Sequence, residues 1–169
     1  CHIYNCARHT INQLIDDMGK KIESMKATEP LIKDNFIMGL LYNRFFTEQE
    51  YIEELNLLNI DLKFSYYNVI LLQLDERRTK NLTMKESQTI KNELIKGIAS
   101  NNDQNMQQIS LDLLDQKICV IIGTTVPEPE LIHKLAKRAI SFLSRRYQIP
   151  VTITSGTWSN SLLEIHNSF

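Results

Sequence analysis

A chain of 169 residues, 43% of them hydrophobic, can bury one substantial core and suits one compact domain with a helical extension rather than two full domains. Its 19 basic and 20 acidic side chains leave a formal net charge of -1, which excludes the basic excess of a domain that grips nucleic acid by itself. No run approaches the roughly 18 uninterrupted apolar residues of a membrane span, so the piece reads as cytoplasmic; the opening Cys1-His2-Ile3-Tyr4 is neither a leader nor an initiator methionine, so the natural protein is expected to start earlier.

Helical periodicity governs residues 1–59. Ile11, Ile15, Met18, Ile22 and Met25 follow one another at spacings of 4, 3, 4 and 3, an apolar seam at heptad spacing. Such a seam needs a partner surface, either the same helix of a second copy or the protein's own core, and two heptads do not decide between them. Pro30 interrupts the pattern, after which Leu31, Ile32, Phe36, Ile37, Leu40 and Leu41 form the broad apolar face of a second helix. Thr47-Glu48-Gln49-Glu50 is a capping box that opens a third helix bearing Tyr51, Leu55 and Leu58 and ending near Asn59.

From residue 60 the grammar changes. Tyr67-Asn68-Val69-Ile70-Leu71-Leu72-Gln73-Leu74 is a nearly continuous apolar run that reads as a central strand, followed by the charged Asp75-Glu76-Arg77-Arg78. A second capping box, Thr83-Met84-Lys85-Glu86, starts a helix through about Ser100 with Ile90, Leu94, Ile95 and Ile98 inward. Gln108 to Leu114 alternates Ile109, Leu111 and Leu113 with Ser110 and Asp112, Lys117 to Gly123 is apolar, and Asp115-Gln116 between them reads as a hairpin tip. Pro127 and Pro129 precede a long helix from about Glu130 to Tyr147, with Leu131, Leu135, Ala139, Phe142 and Leu143 at helical spacing. Val151 to Thr154 is a last strand, Ser155-Gly156 a turn, and Ser161 to Phe169 a short helix.

The order βαββαβ plus a final helix predicts an α+β domain over residues 60–169: an antiparallel sheet with two crossover helices on one face, in the ferredoxin-like and nucleotide-cyclase arrangement, preceded by a helical connector over 1–59. Val69, Leu71, Ile109, Leu111, Ile118, Val120, Val151 and Ile153 are expected on the sheet face covered by Leu94, Ile98, Leu135 and Phe142.

Residues 31–43, Leu-Ile-Lys-Asp-Asn-Phe-Ile-Met-Gly-Leu-Leu-Tyr-Asn, and the ending Val151 to Gly156 with Ser161 to Phe169 carry a resemblance. They are similar to the degenerate GGDEF-like region of membrane-attached AraC-type transcription regulators, in hydrophobic pattern and order over nearly the whole chain rather than in one diagnostic motif. The resemblance implies a cytoplasmic, dimerising relay. It lies between a sensor with membrane helices upstream and two helix-turn-helix units downstream, so that membrane and DNA are contacted only through parts of the regulator outside this piece.

The same resemblance sets a test for catalysis. An active diguanylate cyclase places a Gly-Gly-Asp/Glu-Glu-Phe turn between its middle strands, where glycines admit the nucleotide and carboxylates hold metal against its phosphates. Here that place reads Leu113-Leu114-Asp115-Gln116-Lys117. Asp75, at the end of the first strand, matches the place of a metal-binding aspartate, but Glu76-Arg77-Arg78-Thr79 follows instead of the cyclase's lysine and asparagine. Asp75 and Asp115 are thus candidates for a vestigial cleft, and the expectation is no enzyme activity, no cofactor and no metal. The alternative is a nucleotide-binding or weakly catalytic degenerate cyclase; a rigid spacer is a third reading.

Other residues offer less. His2, His9, His133 and His166 lack i, i+4 pairing or cysteine partners, and Cys1, Cys6 and Cys119 have no metal spacing, Cys119 reading as a buried small hydrophobe. Gly-x-Ser-x-Gly, Walker and dinucleotide glycine motifs are absent from a chain of 5 glycines. Lys134, Lys137, Arg138, Arg145 and Arg146 line one helix, which suits a solvated face complementing the helix dipole.

Overall fold

The computed structural model describes residues 32–44, 47–58, 60, 62–99 and 105–168, so the seam Ile11, Ile15, Met18, Ile22 and Met25, like Cys1, Cys6, His2 and His9, lies outside the described residues. The chain divides into two compact units, residues 1–38 and 39–169. Residues 32–41 are helical, named α1, with Phe36, Ile37, Leu40 and Leu41 buried and Ile32 exposed. Helix α2, Glu48–Leu57, begins at the expected capping box: Thr47 Oγ1 accepts the Glu50 N–H at 3.2 Å while Glu50 Oε2 accepts the Thr47 N–H at 3.1 Å.

Four strands follow, β1 (Tyr66–Leu74), β2 (Met106–Asp112), β3 (Lys117–Thr124) and β4 (Val151–Ser155). They form one sheet in the order β2-β3-β1-β4, antiparallel at every pairing. The α+β class and the ferredoxin-like strand order predicted from periodicity are what the chain adopts. One-turn helix α3 (Glu76–Thr79) and helix α4 (Met84–Ile98) link β1 to β2, and α5 (Pro129–Arg146) links β3 to β4. The last element among the described residues is a 3₁₀ helix, Leu162–Ser168, whose three-residue repeat places Leu162 and Ile165 on one buried side. No helix among the described residues is long and apolar enough to cross a membrane.

The main core lies between the sheet and α4 and α5. Ile70, Leu72 and Leu74 of β1 and Ile118, Val120 and Ile122 of β3 meet Ile90, Leu94 and Ile98 of α4 and Leu135, Ala139 and Leu143 of α5. Val151, Ile153 and Phe142 pack against this cluster as expected, but Val69, Leu71, Ile109 and Leu111 do not join it. Register explains the correction: Val69 pairs with Ile121 and Leu71 with Cys119, while Ile109 pairs with Ile121 and Leu111 with Cys119, so all four point to the opposite face. That face is apolar too, with Val69, Leu111, Cys119 and Ile121 buried. A strand covered on both sides has no alternation from which its phase can be read.

Two glycines permit close approaches. A Cβ on Gly97 of α4 would stand 2.8 Å from Phe142 Cδ2 of α5, and one on Gly123 of β3 would stand 2.5 Å from Phe64 Cδ2 on the opposite sheet face. The missing side chains let the helices close up and let Phe64 lie on the strand. Beside Phe64, the buried Tyr67 hydroxyl donates to Leu62 O at 2.5 Å and accepts the Phe64 N–H at 2.9 Å, fixing the entry to β1.

Candidate functional site

The residues singled out for chemistry gather at the end of the sheet where β1 finishes and the β2–β3 hairpin turns. Leu74 N–H donates to Gln116 O at 3.0 Å and Asp75 N–H to Pro150 O at 3.0 Å, so Asp75 is held between the hairpin and the start of β4. The hairpin closes through Leu113 N–H to Lys117 O at 2.9 Å, with Leu114, Asp115 and Gln116 at its tip. Asp115 and Gln116 take φ values of 58° and 60°. This is the left-handed region that glycine occupies without cost, and L residues enter it at about 1–2 kcal/mol. The backbone therefore keeps a glycine-like turn in the absence of glycine.

The two candidate carboxylates are differently placed. Asp75 Oδ1 accepts the Arg77 backbone N–H at 2.8 Å, which makes Asp75 the N-cap of α3. The Arg77 side chain closes on the same carboxylate, Nε 3.3 Å from Oδ1 and Nη2 3.2 Å from Oδ2. These bonds, the guanidinium first and the backbone N–H second, hold the Asp75 carboxyl below its usual pKa. Asp115 sits exposed at the hairpin tip, beside an 86% exposed Leu114. Among the described residues no group of three or more His, Cys, Asp or Glu side chains is arranged to hold a metal ion.

Helix α3 escaped the sequence reading because Asp75-Glu76-Arg77-Arg78-Thr79 has no apolar repeat; a cap and one turn of backbone bonds suffice to form it. A polar clamp between α4 and the hairpin was also missed. Ser87 Oγ donates to Gln116 Oε1 at 2.6 Å and Gln88 Nε2 to Asp112 Oδ2 at 2.6 Å. The Lys91 ammonium lies 2.6 Å from Asp112 Oδ1, a charge contact rather than a directed hydrogen bond, and 3.4 Å from Leu113 O. The signal was present: Ser87, Ile90, Lys91, Leu94 and Ile98 are the buried stripe of α4, and two of the five are polar.

The basic residues of α5 line its outer side, and one acidic neighbour is already engaged. Glu93 of α4 pairs with Arg146 at 3.2 Å and accepts the Tyr147 hydroxyl, which raises the pKa of that phenol. The Arg146 guanidinium lies 5.9 Å from the Phe142 ring centre and 5.8 Å from that of Tyr147. Elsewhere Cys119 is fully buried and burial pushes its thiol up to about 12, in keeping with a small hydrophobe. His133 is exposed, and half-buried His166 places Nδ1 2.6 Å from Leu163 O.

No family model matches the chain, and neither a curated protein nor a solved structure matches it.

Proposed function

We propose that this chain is a non-catalytic relay and dimerisation module of an AraC-type transcription regulator, placed between a membrane-attached sensor and helix-turn-helix units downstream. The observation that supports this most is the state of Asp75: the carboxylate that a cyclase would turn toward metal caps α3 and is gripped by Arg77. The adjoining hairpin adds a single carboxylate, Asp115, on a turn without glycine. A metal ion bridging nucleotide phosphates needs several oxygen ligands converging from the protein and substrate. One exposed aspartate and one engaged by arginine supply a weak start.

In this reading the signal travels mechanically. The seam Ile11, Ile15, Met18, Ile22 and Met25 pairs two copies, and a shift or rotation of that helix changes the spacing of the attached DNA-binding units. Ile15→Glu and Ile22→Glu place like charges in the seam. Sedimentation should show each variant with a loss of dimer of at least about tenfold in association constant, while circular dichroism shows the α+β domain still folded. In the full regulator the same changes should uncouple stimulus from transcription. An unchanged association state with an unchanged response defeats the proposal, and so does unfolding of the whole domain, which would make the seam part of the chain's own core.

A further inference from the structure

Charge on this nearly neutral chain is segregated between two helices. Helix α2 carries Glu48, Glu50, Glu53 and Glu54 and no basic residue, not even in its last turn, where cations ordinarily offset the negative end of the dipole. Leu57, at that same end, is 79% exposed. Helix α5 carries Lys134, Lys137, Arg138, Arg145 and Arg146, against one acid, Glu130, in its first turn. Between α4 and α5 runs an open groove of about 540 Å³ with Gly97 and Phe142 among its lining and Lys137, Arg145 and Arg146 along it. One surface is thus acidic with a projecting leucine, and the other is basic around an aromatic ring.

We infer that this groove is a docking site for helix α2 of a second copy of the chain, with Leu57 entering beside Phe142 and Glu53 and Glu54 facing Lys137 and Arg145. The occupant follows from complementarity. The groove offers an apolar floor with a cationic rim, and α2 offers an apolar side chain at an uncompensated negative helix end. Glu50 is set aside because it is committed to the capping box with Thr47.

The arrangement also fixes the symmetry of the contact. Leu135, Ala139 and Leu143 seat α5 on one face of the sheet. Helix α2 is a separate surface of the chain, outside the cluster that α5 covers. The contact joins two different surfaces and is heterologous, so a pair of copies that makes it once leaves one α2 and one α5 open. Such a head-to-tail contact closes into a ring or runs on as an open chain, according to the rotation between successive copies.

Sedimentation of the 169-residue chain over a concentration series, at low and raised salt, tests this. The mean mass should rise with concentration without levelling at two copies and should fall as salt screens the rim. Glu53→Lys with Glu54→Lys, and separately Lys137→Glu with Arg145→Glu, should each weaken association more than about tenfold. Mixing the two variants should restore it, because each then supplies the charge the other lacks; that recovery also shows both are folded. The seam variant Ile15→Glu should leave the recovery intact, which separates this contact from the seam. The inference is overturned if neither charge pair alters association, or if the mixture fails to associate. It is equally overturned if the α5 pair abolishes binding to a random-sequence DNA duplex while self-association is unchanged, which would assign the basic face to nucleic acid.

Discussion

Replacing Leu72 with alanine is expected to lower the unfolding free energy by about 2–5 kcal/mol, whereas Leu71→Ala should cost about 1 kcal/mol. The two leucines are neighbours in the same strand and alike in sequence terms. Leu72 is fully buried, pairs with Ile118, and belongs to the cluster beneath α4 and α5. Removing its terminal carbons leaves a cavity within a cluster whose members Leu94, Ile98 and Leu143 are themselves fully buried. Leu71 is half-buried on the other face, so water already reaches part of the side chain. Urea unfolding with unchanged slope reads the difference. Equal costs would contradict the difference in burial, and a larger cost for Leu71→Ala would mean that the two faces are reversed.

That contrast marks where the sequence stopped being legible. The two capping boxes at Thr47 and Thr83 announce their helices through a local pattern of hydroxyl and carboxylate, and both form as read. The Asp115-Gln116 tip was readable because two strand patterns flank a short polar pair. The phase of β1 was not readable, since Val69, Ile70, Leu71 and Leu72 are apolar on both faces and only pairing with β3 and β4 fixes which way each points. At the candidate site, the positions of Asp75 and Asp115 at one end of the sheet followed from strand order. The closure of Arg77 on Asp75 did not, because it depends on a single helical turn with no hydrophobic signature.

Lys91→Met is the second change with a large expected effect. The side chain of Lys91 is 10% exposed and that of Asp112 24%, so the pair is largely withdrawn from water at the junction of α4 and the hairpin. Methionine keeps most of the packing of the lysine stem but leaves the Asp112 charge with Gln88 as its remaining partner. The expected loss is about 1–3 kcal/mol. Asp112→Leu on the Lys91→Met background should recover much of it, since removing both charges removes the desolvation they share. A double-mutant cycle by chemical denaturation measures the coupling. Additive losses would show that the two groups do not act as a pair.

The hairpin that this pair anchors is the one on which the non-catalytic reading turns, and nucleotide binding is its most direct test. Calorimetric titration of the chain with GTP and magnesium should give no heat of binding, and prolonged incubation should give no turnover, because Asp75 is held by Arg77 and the turn at Asp115 and Gln116 lacks the glycines that would let a nucleotide approach. Micromolar binding of GTP with magnesium that disappears in Asp75→Ala would contradict the account and would make this end of the sheet a working nucleotide site.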